Sequence, residues 1–262
     1  MKIINTLHNL IKANREEILK IIKLFLIAFI LNILLLFFIN IFTNGTVNDA
    51  FLGADSLRAF DDLTNRVGNH YRTRVHPLFV IFTQPFVWIL KIIFSSPNAT
   101  IIFQSFIGAS CVILFYLNLK KLNKKNINLN PILAIFILSF SQIAFSSIFE
   151  TYIFAEFTLL TMWLIGQNFV DKKLNYLNIL TLIIVGVLAI SITITNYFQF
   201  IILLIFVILF NKKVNNKITT FLSIIFLSSS VAVLLACLQN IIWPSANNFF
   251  TASIEGFLLN KN

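Results

Sequence analysis

The chain has 262 residues, of which 58% are hydrophobic, 11% are charged and 30 are phenylalanine, and its formal net charge is +10. Soluble domains carry about 25% charged residues, so too few charges are present to cover a water-facing surface, and the wealth of aromatic residues excludes a disordered chain. Cys111 and Cys237 both lie in apolar runs, which excludes a disulfide framework and a zinc-finger pattern.

Met1–Lys23 reads as a basic amphipathic segment lying on the cytoplasmic surface. Leu24–Phe42 follows as the first span, because about 20 apolar residues cross about 30 Å of hydrocarbon as a helix. Residues 43–98 form an outer loop. It opens with the longest polar stretch, Thr43–His76, and continues into the apolar run Pro77–Phe94. Later spans are expected at Ala99–Leu119, Pro131–Phe149, Tyr152–Val170, Leu177–Thr195, Tyr197–Phe210 and Ile218–Leu238, the sixth being short at about 21 Å.

Lysines punctuate these runs at Lys120, Lys121, Lys124 and Lys125, at Lys172 and Lys173, and at Lys212, Lys213 and Lys217. Short lysine-rich loops stay cytoplasmic, so an even number of crossings must separate the N-terminus from Lys120. Pro77–Phe94 also contains Gln84, Pro85 and Lys91, a poor composition for a span. It is therefore read as a helix in the outer interface, with Trp88 at the head-group level. The expected fold is all-α, a polytopic membrane bundle of about seven transmembrane helices, with an interfacial helix pair between the first two. It forms a single domain over 1–262 with an outer tail at 239–262. Clusters of this kind, without a continuous basic face, exclude a nucleic-acid partner.

Arg58, Arg66, Arg72 and Arg74 all fall in the polar stretch, together with Asp49, Asp55, Asp61 and Asp62. Leu57, Phe60, Leu63 and Val67 recur at helical spacing, while Asp55, Arg58, Asp62 and Arg66 make a second stripe. The expectation is an amphipathic helix with its apolar face on the membrane and its charges up. Taken alone, that is a solvated helix with self-paired charges.

Two acids add to it. Glu150 closes the third expected span, and Glu156 lies roughly 9 Å deeper along the fourth. An ionised acid at depth is costly, so it faces a cavity or a partner. Glu150 also suits the dipole at a helix start, and Glu156 a buried pair or a protonated acid. Arginines bind phosphate bidentately, and a carboxylate serves as a base or a metal ligand. The set suits group transfer from a polyprenyl phosphate in an interfacial pocket.

In its order of spans and loops, and in three short segments, the chain resembles the GT-C superfamily of integral membrane glycosyltransferases. The likeness is to the protein O-mannosyltransferase and aminoarabinose transferase, family 39 type. Ala54-Asp55-Ser56-Leu57-Arg58-Ala59-Phe60 stands where that family has an acidic motif on an interfacial helix. His76-Pro77-Leu78 stands at its proline motif, and Glu150-Thr151-Tyr152 at its second acid. The resemblance implies that Asp55 is the catalytic base or an acceptor-positioning acid and Glu150 a second acid or metal-site residue. It implies donor-phosphate contacts from Arg58, Arg72, Arg74 and His76, with Tyr152 and Glu156 as further substrate contacts. The cofactor is left open, a divalent metal such as Mg or Mn being the candidate.

The implied partners are a polyprenyl-phosphate sugar donor, the lipid bilayer, and a glycan, lipid or protein acceptor. The implied location is the bacterial plasma (inner) membrane. The chain ends at Asn262, where relatives of this type continue, so a shortened member is expected. His70 and Tyr71 are acceptor-contact candidates, although a lone histidine in a polar loop is ordinarily solvated. The alternatives are a transporter or flippase-like protein, with Glu156, Asn196 and Gln199 along its path, and an assembly subunit of a membrane glycan pathway.

Overall fold

A computed structural model describes residues 2–43, 56–68, 70, 73, 75–123, 127–170 and 172–246, with side chains of the first helix described from Arg15 to Phe38. Among the described residues the regular structure is entirely helical.

No glycine or proline interrupts Lys2–Thr43, and the segment folds as one unbroken 42-residue helix, α1. The amphipathic start and the first expected span thus share a single axis. Within it, Arg15–Phe38 has a mean hydropathy of 2.8 and is long enough to cross a membrane. Two short helices form where the interfacial pair is expected, α2, Ser56–Thr64, and α3, Phe79–Leu90. At 12 residues, α3 is about 18 Å long, too short to cross hydrocarbon.

Helix α4, Ser96–Leu122, starts with proline in its first turn and ends with Lys120 and Lys121 in its last, where cations suit the helix dipole. The third expected span is instead two helices, α5 (Asn130–Ile137) and α6 (Phe140–Ser147), bent by 48°. Ser139 makes the break. Its backbone is extended, and its hydroxyl accepts from the Gln142 amide, so a new helix is capped there.

Helices α7 (Tyr152–Phe169), α8 (Tyr176–Ile192) and α9 (Ile194–Leu204) follow. Thr193, with φ −158° and ψ 140°, separates α8 from α9. Helix α9 runs on as a π-helical turn, Ile205–Leu209, and α10 covers Lys217–Ile242. Three of these helices, α1, α4 and α10, are long and apolar enough to cross a membrane, and the bent α5–α6 pair makes a fourth candidate. The outward faces agree: Phe38 on α1 and Phe226 on α10 are exposed at 59% and 70%. Exposed apolar surface on that scale needs lipid or protein against it.

Helices α1, α4 and α6 meet at Gly108, where a Cβ atom would come within 2.6 Å of the Asn32 amide and 2.9 Å of the Ser146 Cβ. Small residues let apolar helices approach closely when lipid gives no hydrophobic drive between them. Phe103, Ile153 and Phe154 join α4 to α7, and Leu63 of α2 and Phe79 of α3 pack into the same cluster. Met162, Phe200, Leu204 and Ile224 join α7, α9 and α10.

Lysines collect at one end of the bundle. Lys120 pairs with Glu17 at 2.8 Å, Lys121 donates to Asn168, and the Asn211 amide donates to the Lys172 carbonyl at 2.9 Å. Arg58 and Arg66 sit at the other end, along with Lys91, which donates to the Thr64 carbonyl.

Candidate functional site

The site is built on α2. Its two charged residues four apart share a face, but that face points inward. Arg58 and Asp62 are buried, whereas Leu57 and Val67, expected against the membrane, are exposed, Val67 at 82%. The turn is partial, since Leu63 of the apolar stripe is buried and Arg66 of the charged stripe is exposed, and pairing is what makes burial of Arg58 and Asp62 tolerable. Arg58 Nη1 lies 2.6 Å from Asp62 Oδ2, and its Nη2 lies 3.4 Å from both Glu150 oxygens. Taking these ions out of water costs several kcal/mol apiece unless they are paired and hydrogen-bonded, and the two carboxylates supply the pairing. Glu150 is itself buried in the connection between α6 and α7. That connection is held by the Gln104 side chain, whose amide donates to the Phe145 and Ile148 carbonyls.

His70 corrects the expectation of a solvated side chain: it is fully buried. Its Nδ1 stands 2.7 Å from Asp62 Oδ1, so both oxygens of Asp62 are engaged, one by guanidinium and one by imidazole. An ionised carboxylate only accepts, so Nδ1 carries the proton. Nε2 is buried and has no hydrogen-bond partner among the described residues.

The surrounding backbone is pinned from α3 and from the end of α10. The Gln84 amide donates to the Asp62 and Asn65 carbonyls at 3.1 and 2.9 Å, and its oxygen accepts from the Trp243 indole. The Ser245 hydroxyl donates to the Gly68 carbonyl, and Trp243 stacks on Trp88.

His76 is positioned by a second junction. The Leu78 amide donates to the Ser191 carbonyl, and the Ile194 amide donates to the Val75 carbonyl, so residues 75–78 dock on the break between α8 and α9. His76 Nδ1 donates to the Ile192 carbonyl at 2.6 Å, and Nε2 accepts from the Thr151 hydroxyl at 3.3 Å. His76 is thereby tied to the residue beside Glu150. Gln239 of α10 clamps the start of α3, donating to the Pro77 carbonyl and accepting from the Ile81 amide.

The structure therefore brings together Arg58 and Glu150 directly, with His76 next along the chain of contacts. Tyr152 is half exposed and packs on Phe145 instead. Glu156 is partly buried on α7 and makes no hydrogen bond or ion pair among the described residues. Asp55, Arg72, Arg74 and Tyr71 lie outside the described residues. Asn196, expected along a transport path, donates to the Ala155 carbonyl and the Thr158 hydroxyl and so fastens α9 to α7, while Gln199 is exposed.

The residues that sequence reasoning left out of the site are Asp62 and Gln84, while His70 was named as an acceptor contact but expected to be solvated. The four-residue spacing of Arg58 and Asp62 was a readable signal for the first, whereas His70 owes its burial to distant segments.

Among the described residues no three His, Cys, Asp or Glu side chains converge as a metal site. Asp62 and Glu150 both turn to the Arg58 guanidinium, which stands where a cation would. Among the described residues this donor set does not fit a divalent metal.

An apolar hollow of about 550 Å³ lies between α3, α4, α7 and α8. Phe86, Phe103, Phe106, Phe154 and Ile192 line it. Ile192 is shared: its side chain faces the hollow and its carbonyl holds His76. Comparison with known proteins found no matching family model, no matching curated protein and no matching solved structure.

Proposed function

We propose that the chain is a membrane glycosyltransferase that moves a sugar from a polyprenyl-phosphate donor to a glycan, lipid or protein acceptor at the outer face of the bacterial plasma membrane. What supports this reading is that Ile192 links an apolar hollow, which its side chain lines, to the ionic cluster, through its carbonyl on His76 and the Thr151 hydroxyl beside Glu150. A lipid phosphate needs both, a charged recess for its head and a dry one for its tail.

In this reading α1, α4, the bent α5–α6 pair, α7, α8, α9 with its π turn, and α10 make about seven crossings. The lysine end is cytoplasmic and the Arg58 end is outer. Arg58 is the donor-phosphate cation. Its contact with Glu150 is the longer of its two acid contacts among the described residues, so a phosphate oxygen displaces that one first. Asp55, by the GT-C resemblance, serves as the base or positions the acceptor, and inversion follows from a single displacement without a covalent intermediate.

The closed pairing of Arg58 with Asp62 and Glu150 favours a second reading, a non-catalytic assembly subunit whose cluster only fastens α2 to the bundle. The test is a transfer assay. Purified protein in liposomes receives undecaprenyl-phosphate sugars, and release of undecaprenyl phosphate is followed. The enzyme reading expects turnover that falls at least about 100-fold in Arg58→Lys, where one bidentate contact is lost. A folded wild-type protein that releases no phosphate from any donor supports the assembly reading instead.

A further inference from the structure

Away from the candidate site, an apolar groove of about 360 Å³ runs between α1, α4 and α7. Ile22 and Leu26 form one wall, Phe157 the other, and Ser110, Ile113 and Leu114 the floor. Side chains three and four residues apart share a helix face, so each of these faces can be followed toward the lysine end. On α1, Ile22 leads through Ile18 to Arg15, and on α4, Leu114 leads through Leu117 to Lys121. On α7, Phe157 leads through Thr161 and Leu164 to Asn168, whose side-chain oxygen accepts from Lys121. Lys172 follows α7 and stands close enough to Lys121 for the two ammonium groups to repel.

The acids described at this end are Glu16 and Glu17. Glu17 is engaged by Lys120 at 2.8 Å and by the Tyr116 hydroxyl at 2.9 Å, and Glu16 is exposed. Asp171 lies outside the described residues, and Glu156 does not line the groove. Two like charges side by side are unfavourable until an anion comes between them. A dry groove that ends on cations matches an anionic lipid, which carries both halves of that pattern. We propose that the groove binds one anionic phospholipid, of the phosphatidylglycerol kind, from the leaflet at the lysine end. Its phosphate sits between Lys121 and Lys172, with Arg15 at the rim, and an acyl chain runs over Leu117 and Ile113 to Phe157.

Native mass spectra of the full chain in mild detergent, mixed with equal amounts of phosphatidylglycerol and phosphatidylethanolamine, read the bound lipid directly. The wild type is expected to carry one phosphatidylglycerol, favoured about tenfold or more over phosphatidylethanolamine. Lys121→Gln combined with Lys172→Gln should lower that retention about tenfold or more. Ile113→Trp, which fills the floor and leaves the charges in place, should lower it as well. Lys212→Gln combined with Lys213→Gln removes the same charge from exposed positions elsewhere in the chain and is expected to leave retention unchanged.

Equal retention of the two lipids by the wild type overturns the site, a result that needs no variant. Full retention in the Lys121 and Lys172 double variant or in Ile113→Trp overturns it too. So does an equal loss in both lysine pairs, the mark of a diffuse attraction to the whole basic end. A wild type that carries no phosphatidylglycerol and runs as a dimer also overturns it and makes the groove a contact between copies. Sugar transfer is read by a separate assay, so the two proposals fail independently.

Discussion

Arg58 is the side chain on which the candidate site turns. It faces two buried carboxylates, so its loss removes an ion pair from each, and breaking a buried pair in this way costs about 3–5 kcal/mol. Arg58→Met should therefore lower unfolding stability in detergent by about that amount. Glu150→Gln should cost less, because Arg58 keeps its 2.6 Å contact with Asp62. A larger loss for Glu150→Gln than for Arg58→Met would show that Asp62 does not hold the guanidinium.

At this scale the sequence was half legible. Arg58 and Glu150 could be singled out because charges flanking apolar runs are rare and costly. The direction of α2 could not, since its apolar stripe and its charged stripe each make a credible inward face. The choice falls to a carboxylate 92 residues away. His70 was misjudged for the same reason: nothing local to it announces burial.

Two helix starts, at Ser139 and Asn175, carry a side-chain cap, and at the first of them capping overrode the run of hydropathy. Leu177–Thr195 and Tyr197–Phe210 were separable on composition, and Thr193 marks the boundary. The Pro131–Phe149 run gave no sign of its bend except Ser139, a good cap inside an apolar stretch. Close packing between elements gives a sharper test. At Gly186 a Cβ would meet the Phe200 ring at 2.6 Å and the Ser228 Cβ at 2.9 Å, neither of which swings away easily. At Gly166 the obstacle is the tip of the Leu203 side chain, which can rotate.

Gly186→Ala should accordingly destabilise the protein by about 1–3 kcal/mol, the usual range for overpacking, and Gly166→Ala by less. Thermal unfolding of the two variants side by side checks the order. Gln239→Leu removes both hydrogen bonds that clamp the start of α3. It should cost about 1–3 kcal/mol for each polar group left unpaired, with proteolysis within residues 75–90 reporting the loosened helix.

For the molecule as a whole, the two ends differ in their charges: lysines predominate at one, with Glu17 paired to Lys120, and Arg58 and Arg66 stand at the other with Asp62, Glu150 and Lys91. That sorting was legible from the sequence, because the positive-inside tendency needs only the order of charges along the chain. The length of each helix was not, since kinks and extended residues depend on neighbours. A membrane-impermeant maleimide should label Val67→Cys in intact cells, while Lys213→Cys reacts only after permeabilisation. Both substitutions are made in a Cys237→Ser background because Cys237 is exposed. Labelling of both positions from one side would invalidate the proposed orientation.

The docking of residues 75–78 on the α8–α9 break has a consequence for how the protein is made. The acceptor carbonyl of Ser191 leaves the ribosome more than a hundred residues after Leu78 does, and Trp243 later still. The ionic recess is therefore among the last things completed during biogenesis. A nascent chain stalled before α10 would already be in the bilayer with its recess unsealed, a natural point for quality-control proteases to read.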